Sequence, residues 1–167
     1  GSEPARPAGT PPPPAMRPVG AALFDGRSAT GWSWESDPTS KAVVDVAPLQ
    51  SGARIRLRYG LSGGSDIGQF SAAAVEVHGV ADADAVRFAV RGDGPMRVQV
   101  QVRAEVPGSA PERWETSVYV DATEQTRVVR FDELKPVGQT HTPLVPKDGV
   151  RAIMFVVDTT HAEPGAT

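Results

Sequence analysis

Along most of the chain, apolar residues recur at every second position. The stretch "ARIRLRY" sets Ile55, Leu57 and Tyr59 on one side and Arg54, Arg56 and Arg58 on the other. "VRFAV" repeats the pattern with Val86, Phe88 and Val90, and "RVQVQVR" with Val98, Val100 and Val102. "SVYV" sets Val118 and Val120 against Ser117 and Tyr119, and "AIMFVVD" offers Ile153, Phe155 and Val157. A period of two is that of a half-buried β-strand, so each run predicts one. Shorter runs at Ala22–Phe24, Val43–Val46, Ala73–Val77 and Thr126–Phe131 predict further strands. Turn-rich stretches such as "GLSGGSD", "GVADAD", "RGDGP", "VPGSAPE" and "VPKDG" separate them. A 3.6-residue stripe of helical length is missing, and only "DELK" (Asp132–Lys135) has the makings of a helical turn. About nine short strands joined by turns predict an all-β sandwich or barrel of antiparallel sheets. Alternation implies that each sheet turns one face to the core and one to water, and a one-residue slip would bury the polar set.

The run "RFAVRGDGPMRVQVQVR", Arg87 to Arg103, concentrates the chemistry. It reads as a strand pair around a Gly-Asp-Gly-Pro turn, with Arg97, Gln99, Gln101 and Arg103 opposite the valines and Arg87 and Arg91 outward on the preceding strand. Tyr119 faces outward from a later strand. Glutamine both donates and accepts hydrogen bonds, and arginine presents a fork of donors. With Tyr119 and Trp114 as aromatic platforms, these groups have the character of a glycan groove. A plain solvated sheet face would account for the same residues.

Composition narrows the classes. The chain has 167 residues, 40% of them hydrophobic and 22% charged, with a net charge of −3. That is the length of one domain, large enough to bury a core, and the charge gives no field to attract nucleic acid or an anionic membrane. Cysteine is absent, which removes disulfides, thiolate metal sites and cysteine nucleophiles. No apolar run approaches the roughly 20 residues that span a bilayer. Residues 1–19, "GSEPARPAGTPPPPAMRPV", are too rich in proline and too poor in apolar groups to join a core. They read as a disordered linker or tail, a semi-rigid spacer towards a further module, and residues 20–167 as the β-sandwich binding domain. The dominance of arginine over lysine suggests a bacterial source with a GC-rich genome.

The order of motifs then resembles a known group. "ALFDG…GWSWESD", "ARIRLRY", "ADAVRFAVRGDGPMRVQVQVR", "RWETSVYVDATEQTRVVRFDELKP" and "VRAIMFVVDTTHAEPGAT" follow one another as in the galactose-binding-like jelly rolls of the complex I intermediate-associated protein 30 type, which are also similar to family 11 carbohydrate-binding modules. The resemblance implies a jelly-roll sandwich and a non-catalytic carbohydrate-binding module of an exported protein, secreted, periplasmic or at the cell surface. The alternative it implies is a protein-interaction or assembly domain whose arginine-rich sheet meets an acidic partner, or whose open edge accepts a donated strand. Such domains usually close with a strand of the form "G-x-I-x-I-D-D-I"; here the chain stops at "EPGAT", so the last strand is expected to be missing or unusual. Asp25 would occupy the place from which an acidic residue after the first strand helps to hold a structural Ca²⁺.

The glycan site is accordingly expected at Arg87, Gln99, Gln101, Arg103 and Tyr119, with Trp114 at the rim. Trp32 and Trp34 flank Ser33 and should point the same way, either capping the core or forming a sugar-stacking pair. Asp25, Glu35, Asp37 and Asp45 cluster in sequence as oxygen donors for calcium, but without a "DxDxDG" loop. His78, His141 and His161 lack zinc spacing. "DTTH" leaves a Ser-His-Asp arrangement open, although "G-x-S-x-G" is absent. Asp132 and Glu133 are adjacent and poorly placed as a glycosidase pair, and the Gly-rich "GLSGGSDIG" lacks the lysine of a phosphate loop and reads as a flexible loop beside the cleft.

Overall fold

A computed structural model of the chain describes residues 22–62, 68–159, 161, 162 and 166. The Pro-rich segment 1–19 and the middle of the Gly-rich loop, 63–67, lie outside the described residues. Ten strands make up most of the rest: β1 (Trp32–Ser36), β2 (Lys41–Pro48), β3 (Ala53–Gly60), β4 (Phe70–Glu76), β5 (Ala85–Val90), β6 (Met96–Ala104), β7 (Glu112–Val120), β8 (Gln125–Arg130), β9 (Lys135–Val137) and β10 (Val150–Asp158). Two single 3₁₀ turns, Phe131–Glu133 and Lys147–Gly149, complete the set, the first overlapping the expected "DELK" turn.

The strands form two layers. One is a six-stranded antiparallel sheet in the order β1-β4-β10-β6-β7-β9. The other consists of the antiparallel pairs β2–β3 and β5–β8. Between them lies the main core, with Val100, Val102, Ile153 and Trp114 from the large sheet and Val86 and Val129 from β5 and β8. Phe88 meets Phe155 edge-on across the layers at 5.0 Å between ring centres. Ser71 on β4 donates to the Lys41 carbonyl on β2 at 2.6 Å, tying the layers together.

Most of the expected strands are present, and three expectations are corrected. Ala22–Phe24 is a loop, and the first strand is Trp32–Ser36. The loop still serves the core, because the Leu23 carbonyl accepts the Trp32 indole N–H at 2.8 Å. β9 was not expected: it contains Pro136, which lacks an amide hydrogen and is tolerated because β9 is an edge strand. The Arg87–Arg103 run is not a hairpin. β5 pairs with β8 in one layer while β6 pairs with β7 and β10 in the other, so the Gly-Asp-Gly-Pro segment carries the chain across the sandwich. β10 lies between β4 and β6, in the middle of the large sheet.

The register also corrects the picture of one wet face per sheet. Ile153, Phe155 and Val157 pair with Val75, Ala73 and Ser71 on the core side. Ala72, Ala74, Met154 and Val156 face the other way, yet form a second buried cluster with Phe70 packed against it. Gln99 and Gln101 on that same far face are only 5% exposed. Central strands of a wide sheet are thus covered on both faces.

Candidate functional site

The far face of the six-stranded sheet collects the polar groups. In β6 the valines take the core side, so Arg97, Gln99, Gln101 and Arg103 project together from the opposite face. The β7 register sets Tyr119 beside Arg97, Ser117 beside Gln99, Glu115 beside Gln101 and Arg113 beside Arg103. β10 and β4 contribute only short or apolar groups in the middle: Ala152, Met154 and Val156, then Ala72 and Ala74. At the far side, β1 pairs Glu35 with Ala72 and Ser33 with Ala74. Short or apolar side chains thus lie between the long polar ones of β6 and β7 and Glu35 on β1.

The long side chains are held by one another. Gln99 Nε2 donates to Asp158 Oδ2 at 2.6 Å, and Gln101 Nε2 donates to Glu115 Oε2 at 3.1 Å. Arg103 Nε donates to Gln101 Oε1 at 3.2 Å, while its two terminal nitrogens reach both oxygens of Glu35 at 3.2 and 3.0 Å. Arg97 donates to the Ser117 hydroxyl at 3.0 Å. Buried amides need partners, and here carboxylates provide them with charge-assisted bonds. Tyr119 remains 43% exposed at one end, with Arg97 exposed next to it. Phe70 lies on the same face, half-buried against the Ala72–Met154 cluster.

Four of the six residues expected at the site, Gln99, Gln101, Arg103 and Tyr119, are therefore brought onto one face. The other two are not. Trp114 pairs with Val102 on the core side, is fully buried, and donates its indole N–H to the Thr142 carbonyl at 2.8 Å. It is a core residue because it stands an odd number of positions from Tyr119. Arg87 lies on β5 in the other layer, paired with Val128. The hairpin that would have carried it to the face does not exist.

Sequence reasoning missed Glu35, Glu115, Asp158 and Phe70 as members of this face. The first three were hidden because a carboxylate's partners come from other strands. Phe70 begins the run "FSAAAV", whose adjacent small apolar residues erase the alternation that assigns a face.

The acidic residues near the N-terminus do not converge. Asp25 accepts hydrogen bonds from the backbone N–H groups of Ser28 and Arg27 at 2.9 and 2.7 Å, and these lower its carboxyl below the usual range. Glu35 turns to Arg103, and Asp45 pairs with Arg56 and Arg58. Asp37 accepts the Phe70 N–H at 2.8 Å and the Thr39 hydroxyl at 2.6 Å. Among the described residues no group of three or more His, Asp or Glu side chains stands close enough to hold a metal ion. Asp25 closes its own turn in this way, whereas calcium prefers six to eight oxygens. Trp32 stacks on Phe155 at 6.1 Å, capping the core, whereas Trp34 is 52% exposed. The His161 N–H donates to the Asp158 carbonyl at 3.2 Å, and among the described residues no histidine side chain hydrogen-bonds a serine.

Known structures share this architecture. A family 11 carbohydrate-binding module from Clostridium thermocellum, solved in complex with a β-1,3-1,4-mixed-linked tetrasaccharide, superposes with a TM-score of 0.69 at 13% identity, covering 87% of this chain and 88% of that one. The family 11 module of the cellulosomal cellulase Lic26A-Cel5E of the same organism gives 0.64 at 14% identity, with 88% and 86% covered. A solution structure of CtCBM11 gives 0.64 at 16% identity, with 91% and 99% covered. No family model matches the chain, and no curated protein matches it. The fold is thus a β-sandwich jelly roll, shared with family 11 carbohydrate-binding modules. The complex I side of the resemblance drawn from the sequence is not touched by these matches.

Proposed function

We propose that the protein is a non-catalytic carbohydrate-binding module of an exported protein, and that it recognises a glycan on the far face of the six-stranded sheet. The observation that carries this reading is the register of β6 against β7, which gathers Gln99, Gln101, Arg103, Arg97, Ser117, Glu115 and Tyr119 on one surface. The likeness to carbohydrate-binding modules supports it at the level of the fold. Sugars present hydroxyls to polar groups and C–H faces to aromatic rings. The exposed Tyr119 ring suits the second task, and Glu115, Ser117 and Arg97 suit the first. Gln99 and Gln101 are too deeply buried to be the main contacts. They act beneath the surface, holding Glu115 and Asp158 in place. No helix among the described residues is long and apolar enough to cross a membrane.

Soluble mixed-linkage β-glucan and its tetrasaccharide are the first probes. In affinity electrophoresis and calorimetry the parent should bind. Tyr119→Ala should weaken binding about tenfold, equivalent to about 1.4 kcal/mol. No reducing ends should be released during incubation. If Tyr119→Ala and Glu115→Ala bind as the parent does, this face is not the site.

A further inference from the structure

We propose that the Glu35–Arg103 pair is a built-in competitor for the glycan: these side chains cross the ground that a glycan must occupy, and they part to admit it. This inference rests on the glycan-binding reading above. Glu35 stands on the edge strand β1 and Arg103 on β6, with β4 and β10 between them. Their rows differ as well. Arg103 pairs with Ala152, whereas Glu35 pairs with Ala72, which faces Val156 and then Gln99. The ion pair therefore runs diagonally over the intermediate row, Met154 and Ala74.

Two observations agree with a strap lying over that row. Met154, on the side of the sheet away from the core, is only 1% exposed, and Ala74 only 7%. The bonds also continue without a gap, from Glu35 through Arg103 and Gln101 to Glu115, so one side-chain chain spans β1 to β7. The floor below it is alanine, methionine and valine. These groups offer no polar partner, so the pair is held by its own two hydrogen bonds and by Gln101 at the Arg103 end.

Such a strap is able to open. The paired side chains keep 33% and 43% of their exposure, and ion pairs this exposed contribute little. A ligand that binds only the open form has its affinity reduced by the fraction of molecules that are open. Removing the strap should therefore strengthen binding, the opposite of what the loss of a contact residue does. Screening it with salt should do the same for an uncharged sugar.

The test compares the parent with Glu35→Gln and Glu35→Ala, using mixed-linkage β-glucan tetrasaccharide. Calorimetry should show both variants binding about two- to fivefold more tightly. In the parent alone, affinity should rise between low and physiological NaCl. A second readout needs no ligand: with ¹³C-methyl methionine, the Met154 signal should become several-fold more sensitive to a soluble gadolinium chelate in Glu35→Ala. Unchanged or weaker binding by both variants overturns the proposal, and so does unchanged protection of Met154. If the parent and both variants all fail to bind any glucan, the functional reading itself has failed, an outcome distinct from a parent that binds and variants that do not improve.

Discussion

Trp114 and Tyr119 share strand β7 and have opposite fates. The odd spacing between them turns the indole into the core and the phenol into solvent. Trp114→Ala should cost about 3–5 kcal/mol of stability, the range for emptying a large aromatic site. Tyr119→Ala should stay within about 0.5 kcal/mol of the parent, as surface changes do, while losing glycan affinity. Urea unfolding beside affinity electrophoresis separates the two effects, and a Trp114→Ala protein as stable as the parent would contradict the buried indole. Asp37 and Glu112 are among the carboxyls that contribute to the acid response. Partial burial pushes Asp37 upward, but the Thr39 hydroxyl and the N–H groups of Phe70 and Thr39 outweigh it and hold the group well below the usual range. Burial likewise raises Glu112, and the Thr142 and His141 N–H groups more than reverse it. A lowered folded pKa stabilises the protein above the unfolded value of about 4, and that contribution disappears as pH falls below it. The melting temperature should therefore fall between pH 5 and pH 2 (on the order of the carboxylate range), and less steeply in Asp37→Asn. Equal slopes for the two proteins would exclude Asp37 as a source of the acid sensitivity.

Strands were more legible than their partners. Alternation in "RVQVQVR" assigns each residue of β6 to a face, and the structure keeps that assignment. It says nothing about which strand lies alongside, so the short "RGDGP" connection reads as a hairpin when it is a crossing between layers. β4 shows the reverse case: "SAAAV" is buried on both faces, and the alternation that would orient it vanishes. At the junction of β6 and β10 the backbones nearly touch. A Cβ on Gly149 would lie 2.3 Å from the Glu105 carbonyl oxygen, while the Glu105 N–H donates to the Gly149 carbonyl at 2.8 Å. Gly149→Ala must displace main chain here, and overpacking of this kind costs about 1–3 kcal/mol. Amide exchange at Val150 and Ala152 should quicken in that variant beyond the change at β1; a uniform change along the sheet would argue against a local clash.

In the whole molecule, the order β1-β4-β10-β6-β7-β9 places the last strand at the centre and the first at an edge. Exchange protection should accordingly be highest in β10, β6 and β4, and lowest in β1 and β9. Rapid exchange throughout β10 would contradict its central place. The same architecture separates the two arginine sets: Arg87→Ala, in the opposite layer, should leave glycan affinity unchanged, and a loss like that of Tyr119→Ala would show that the two faces cooperate. What could be read directly from the chain was local: an all-β protein, the face each residue of a regular strand occupies, and a polar set of Gln, Arg and Tyr opposite a valine core. These follow from a period of two, which needs no knowledge of neighbours. The tertiary structure alone decided that Trp114 is core, that Arg87 is remote, and that Glu35, Glu115 and Asp158 bind the amides and guanidinium of the groove. Those facts depend on which strands pair and in which register, and pairing is set by contacts between residues far apart in the chain.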